Sequence, residues 1–276
     1  MSRRARRSVL YWLLLSPLVV VILFPYAVMI TTAIKPREEI MTFPPSWFGS
    51  SVRLTNFVEM WGAIEFGQAL LNSLYVSLGA TVLCLVIAIP AAYAMSRYRF
   101  AGQGAYRMFL LITQMLSPIV LVIGIFRLMA ALGLVDQLNS LVLTYAAFNL
   151  AFSVWMLQSY FATIPKEVEE AAWIDGASWL QSLRLVFLPM ALPALAVAAI
   201  LSFIFGWNEF VLALTNLRSS DNFTLTLKVF DLVGGRYSVE WDIVMAATFL
   251  ATVPVAIVFA WLQRYLVRGL ALAAVK

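Results

Sequence analysis

Histidine is absent from this chain of 276 residues, and cysteine occurs once, at Cys84. An intrachain disulfide is therefore excluded, as are histidine acid–base chemistry and the usual His- and Cys-based metal sites. Cys84 lies in an apolar run and reads as a small buried hydrophobe. Charge is scarce too: 12% of the residues are charged, against about 25% in ordinary soluble domains. A water-facing surface cannot be built from that supply, so most of the surface is expected to face lipid or other membrane helices. None of the lysines, Lys35, Lys166, Lys228 and Lys276, follows a glycine, so the phosphate-binding G-x-x-x-x-G-K-[ST] loop is missing. With so few carboxylates in apolar runs, a membrane-embedded enzyme would lack a convergent polar site.

What is present is hydrophobic. Apolar residues make up 63% of the chain, and the mean hydropathy is +0.90. Six apolar stretches stand out, over residues 9–34, 68–95, 108–132, 138–161, 191–214 and 243–266. Backbone groups in lipid must pair within their own segment, so each is expected to be one helix. The class is all-α, polytopic, with a single transmembrane domain over 1–276. Its core runs from about 68 to 266 and is preceded by the span at 9–34. That first run is longer than a signal peptide's apolar region and reads as a retained span.

The net charge of +5 is read as a topology signal rather than as a nucleic-acid footprint. With the N-terminal cluster Arg3, Arg4, Arg6 and Arg7 in the cytoplasm, twelve of the 19 Lys and Arg residues fall on that side. Both termini are therefore expected inside. The segment 35–67, with Pro36, Pro44, Pro45, Trp47 and Trp61, suits an irregular outer stretch at the membrane interface.

The loop between the fourth and fifth spans does not fit a plain membrane protein. Pro165 suits a helix start, and Glu167, Glu169 and Glu170 fall near the positive helix end. Val168, Ala171 and Ala172 share one face by i, i+3, i+4 spacing. Gly176 stands where a left-handed stop belongs, and a second amphipathic stretch, 179–186, leads to Pro189. This is either a docking helix for a cytoplasmic partner or an ordinary interfacial bridge. Residue types alone leave the two even.

Glu170-Ala171-Ala172, three residues, Gly176, nine residues, then Val186-Phe187-Leu188-Pro189 resembles the E-A-A…G…I-x-L-P signature of ATP-binding-cassette (ABC) importer permeases, with Val186 in place of Ile. Asn72-Ser73-Leu74, the run 89–94 with Ser96-Arg97, Trp207-Asn208-Glu209-Phe210, and Val267-Arg268-Gly269-Leu270 are also similar to the smaller permease of the maltose-type carbohydrate importers. The resemblance implies six spans and a cytoplasmic coupling helix between spans four and five. It implies a multi-pass subunit of the bacterial cytoplasmic membrane. The implied partners are a second permease, two copies of an ATPase and an extracytoplasmic solute-binding protein. It implies no cofactor in this chain, with ATP and Mg on the ATPase. Glu170, Ala171, Ala172, Asp175, Gly176, Leu188 and Pro189 are implied as the ATPase contact, with Arg268 and Lys276 as a tail contact. Polar residues within spans are costly in lipid. Trp207, Asn208, Glu209, Phe210 and Asn149 are thus either path residues or hydrogen-bonding ties between helices. The signature loop is shared by glycerol-3-phosphate importers, which remain an alternative. An ion-coupled secondary transporter would have to use Glu209.

Overall fold

The computed structural model describes residues 3–44, 46–234 and 239–273, with side chains described for 11–44, 46–234 and 239–263. All regular structure among the described residues is helical: α1 (Arg3–Ala33), α2 (Thr55–Ala63), α3 (Phe66–Arg97), α4 (Gln103–Met115), α5 (Pro118–Ala131), α6 (Leu138–Phe161), α7 (Lys166–Ile174), α8 (Trp179–Met190), α9 (Leu192–Asn208), α10 (Val211–Asn216), α11 (Leu225–Asp231) and α12 (Trp241–Ala273). Four of these, α1, α3, α6 and α12, are long and apolar enough to cross a bilayer as single rods. The α4–α5 pair bends by 101° and the α8–α9 pair by 80°; counting each as one span gives six.

Two expected spans are thus not single straight helices. The stretch 108–132 breaks at Leu116 and Ser117, both in extended conformation, ahead of Pro118 at the first position of α5. A proline ring cannot continue the preceding helix and pushes the residue before it out of helical geometry. The stretch 191–214 ends its helix at Asn208 because Glu209 is extended, and α10 starts afresh after it.

The chain forms two compact units, Met1–Gly67 with Lys228–Val253, and Gln68–Leu227 with Pro254–Lys276. In the first unit, α1 leaves its side chains exposed from Tyr11 to Ala27. A helix apolar on every side needs lipid or partner helices around it. Its end is tied down by the buried Asn56, which donates to the carbonyls of Ala33 at 2.9 Å and Lys35 at 3.0 Å. The first is a carbonyl that the end of α1 leaves open. Arg37 pairs with Glu240 at 2.5 Å and with the fully buried Asp242 at 3.2 Å. Phe43, Trp47 and Phe48 are well exposed in the irregular segment that follows α1, as an interfacial stretch requires.

The second unit is organised by a stripe of small residues on α3. Ala69, Ser73, Ser77, Ala80, Cys84, Ala88 and Ala92 recur every three or four positions and are all buried. Apolar side chains gain little by leaving lipid for one another, so membrane helices associate through close packing of small residues. Gly206 of α9 belongs to this contact. A Cβ there meets Ser77 Cα at 3.3 Å and the Tyr145 ring at 3.4 Å. Gly79 packs likewise against Val142 at 3.2 Å, whereas Gly124 faces open space.

Contacts also order the helix ends. Tyr75, near the start of α3, meets Asn139 at the start of α6. Arg97, at the end of α3, meets Ile164 just past the end of α6. The two helices run parallel, so the α4–α5 pair between them returns the chain across the unit. Tyr75 and Arg97 lie about 33 Å apart along α3 at 1.5 Å per residue, about one bilayer core.

At the Tyr75 end, Asp136 ties the α5–α6 loop to the segment after α10. Its carboxylate accepts from the backbone N–H groups of Arg218 and Ser219, both at 2.9 Å, and from the Ser219 hydroxyl. Asn222 donates to its carbonyl at 2.6 Å. These bonds, led by the Ser219 hydroxyl, hold the Asp136 carboxyl well below the usual carboxylate range. A depressed pKa stabilises the fold fully above the unfolded value of about 3.9, and the gain disappears as pH falls below it. Asp136 has φ 61, a conformation Asn also tolerates. Asp136→Asn is therefore expected to lower the melting temperature at pH 7 and to flatten its fall below pH 4, read by thermal unfolding across pH.

Candidate functional site

Helix α7 begins after Pro165 and places Glu167 and Glu169 in its first turn, where carboxylates meet the positive helix end. It ends in a Schellman motif: Gly176 N–H donates to Trp173 O at 3.0 Å and Ala177 N–H to Ala172 O at 2.9 Å. Gly176 has φ +85, and a Cβ there would meet nothing. The position thus demands glycine for its backbone hand and not for space. Ser178 and Gln181 then form a capping box that starts α8. A π-helical turn, Ser182–Phe187, follows, ahead of half-buried Leu188 and exposed Pro189. The bend at Ala191 turns the loop into the membrane helix α9.

The inward face of α7 differs from the one its periodicity suggests. Val168 and Ala172 are half-buried and Ala171 is exposed, while Glu169 is buried. The physical reason is a partner on another helix. Glu169 Oε2 lies 3.1 Å from Arg97 Nε, with both side chains almost wholly buried. The Tyr93 hydroxyl donates to Glu169 Oε1. Arg97 also donates to the Ile164 carbonyl at 2.8 Å, and its guanidinium lies 4.6 Å over the Phe187 ring. Phe187 is in turn packed edge-on by Tyr93 at 5.0 Å and Phe161 at 5.9 Å. One arginine at the tip of α3 thus joins α3, the end of α6, α7 and α8.

The outward face combines acid and grease. Glu170, Ala171, Asp175 and Gly176 are exposed. So are Trp173 at 46%, Ile174 at 86% and, across the turn, Trp179 and Leu180. Large apolar side chains thus stand beside carboxylates on one exposed loop. Of the residues implied by the resemblance, Ala172 is half-buried, while Glu170, Ala171, Asp175 and Gly176 share one exposed ridge. Leu188 and Pro189 lie at its junction with the membrane. Arg97 and Glu169 were not singled out as site residues. Within the run of glutamates only the long-range ion pair tells Glu169 from Glu170.

The polar residues at the end of α9 separate. Glu209 closes the α9–α10 break. It accepts the Tyr145 hydroxyl at 2.8 Å and the N–H groups of Leu212 at 3.0 Å and Ala213 at 3.2 Å, capping α10. Asn149 donates to the Tyr145 carbonyl at 2.9 Å, so both converge on Tyr145. Trp207 is buried and stacks on Phe203, with ring centroids 5.6 Å apart. Phe210 is half-buried in the same core as Tyr145 and Leu212. Asn208 is exposed and donates back to Ile204 O at 2.9 Å. Arg268 lies on α12 with its side chain outside the described residues, as Lys276 lies outside them altogether.

Removing one partner from a buried ion pair strands the other and costs about 3–5 kcal/mol. Glu169→Ala is expected to cost an amount of that order, and Glu169→Gln less, because the amide oxygen still accepts from Tyr93. Thermal unfolding in nanodiscs reads the order wild type, Gln, Ala; equal midpoints contradict it.

Comparison with known proteins matches residues 84–272 to the family of binding-protein-dependent transport system inner membrane components. The diacetylchitobiose uptake system permease DasC of Streptomyces coelicolor is 34% identical, over 92% of this chain and 92% of its own length. The trehalose/maltose transport system permease MalG of Thermococcus litoralis is 33% identical, over 93% and 92%. A chain of the bacterial ABC transporter that imports the acidic polysaccharide alginate superposes with TM-score 0.81 at 24% identity, over 96% of this chain and 98% of that one. An all-helical fold of up to six spans and a family match across the signature loop lead to one assignment: the chain belongs to the binding-protein-dependent transport system inner membrane components, the permease subunits of ABC transporters.

Proposed function

We propose that this chain is one of two permease subunits of an ATP-driven importer of sugars, and that α7 is the handle by which an ATPase moves it. The carbohydrate reading is supported by relatives named for diacetylchitobiose, trehalose/maltose and sulfoquinovosyl glycerol uptake. A binding-protein partner is supported by a related alginate transporter crystallised with a pentasaccharide-bound periplasmic protein. The α7 end faces the cytoplasm, in keeping with the Lys and Arg asymmetry, and both termini lie on that side. ATP and Mg belong to the ATPase, of which two copies act on the permease pair.

The observation that carries the mechanism is the Arg97–Glu169 junction. A docked ATPase that changes shape pushes on the exposed ridge of α7. The buried ion pair passes that push to α3, and Phe187 passes it through α8 to the head of α9. Coupling of this kind needs the ATPase contact to differ in free energy between the inward- and outward-facing states. Glu170 and Asp175 supply charge for a basic partner surface, and Ala171 and Ala172 let it approach.

Gly176→Val and Glu170→Lys are expected to abolish binding-protein-dependent uptake of a neutral disaccharide in proteoliposomes. Membrane insertion and the assembly of the permease pair stay near normal. Wild-type uptake in both variants removes α7 from the mechanism. Uptake of glycerol 3-phosphate in place of any sugar moves the substrate assignment.

A further inference from the structure

The Asp136 knot borders a polar cavity of about 340 Å³, lined by Tyr75, Asp136, Gln137, Leu138, Asn139 and Asn222. Its volume is at the lower end of small-molecule sites, which begin at about 300 Å³. It lies at the ends of α3 and α6 remote from Arg97 and α7. In the proposed orientation, solute arrives at that end.

The lining carries a particular set of uncommitted groups. Tyr75 is 52% exposed, and its ring is steadied by the hydroxyl, which donates to Asn139 Oδ1 at 2.6 Å. Asn139 thereby keeps its N–H donors. Gln137 spends its amide N–H on Gly133 O at 3.0 Å and keeps Oε1. Asn222 spends its amide N–H on Asp136 and keeps Oδ1. Among the described residues these three groups have no hydrogen-bond partner. Donors and acceptors spaced around an exposed aromatic face match a pyranose. Its hydroxyls both donate and accept, and its C–H face lies on an aromatic ring.

Charge narrows the class. Asp136 is the only lining residue that carries a formal charge, and its oxygens are spent on Arg218 and Ser219. A fixed carboxylate with no cation in the lining disfavours a uronate or a phosphate. We propose that this cavity is a subsite for one neutral saccharide unit on the entry face of the permease, an inference that rests on the sugar-importer reading above.

Saturation-transfer NMR on the assembled transporter in nanodiscs, without binding protein, tests it. Maltose and N,N′-diacetylchitobiose serve as neutral probes and digalacturonate as the anionic one. Transfer is expected to a neutral probe and not to digalacturonate. Affinity is expected to fall about tenfold in Tyr75→Ala and in Asn139→Ala and to be largely kept in Tyr75→Phe. No transfer to either neutral probe, or undiminished affinity in both alanine variants, overturns the subsite. Binding-protein-dependent uptake by the same wild-type preparation separates the two levels. Uptake without subsite binding removes the subsite and leaves the importer; loss of saccharide uptake as well removes both.

Discussion

A carboxylate and a guanidinium that have both left water fix the joint between α7 and α3. Each ion alone would cost several kcal/mol in that environment, so neither can move away without the other. Glu169 and Arg97 therefore act as a pin. The pin is clamped by the Tyr93 hydroxyl on one side and by the Ile164 carbonyl and the Phe187 ring on the other. Buried pairs of this kind add little net stability compared with apolar packing, and in the proposed mechanism the worth of this one lies in fixing one geometry. A helix that transmits force, as proposed for α7, needs that fixity more than it needs stability.

In the proposed mechanism, load passes from the pin into closely packed helices. The small-residue stripe of α3 and Gly206 of α9 bring backbones close, so displacement of one helix is felt directly by its neighbour. At two of the breaks the start of the next helix is provided for. Glu209 caps α10 at one break, and Pro118 at the start of α5 has no N–H to satisfy at the other. The far end of the unit is closed by Asp136, whose bonds span the α5–α6 loop and the segment after α10. The unit thus has stiff ends and jointed helices between them.

Much of this was legible in the residues. Hydropathy marked all six apolar stretches, and 138–161 coincides with α6. The signature spacing located α7, its glycine stop and the start of α8. The two breaks were not found, because apolar residues resume on both sides of Leu116-Ser117-Pro118 and of Asn208-Glu209-Phe210. The proline was a visible punctuation mark at the first; at the second only the bonds from the Leu212 and Ala213 N–H groups show Glu209 as a cap. The choice of Glu169 over its neighbours as the buried acid was out of reach. Helical periodicity favoured the Val168 and Ala171 face, and the partner that overrides it lies 72 positions away on another helix.

The central claim is that force on α7 reaches the membrane helices through the Glu169–Arg97 pin. The most direct measurement is the number of ATP molecules hydrolysed per solute imported, by the reconstituted complex with its binding protein, in wild type and in Glu169→Ala. The account predicts a ratio raised severalfold, with hydrolysis persisting while import fails. An unchanged ratio at undiminished import would contradict it.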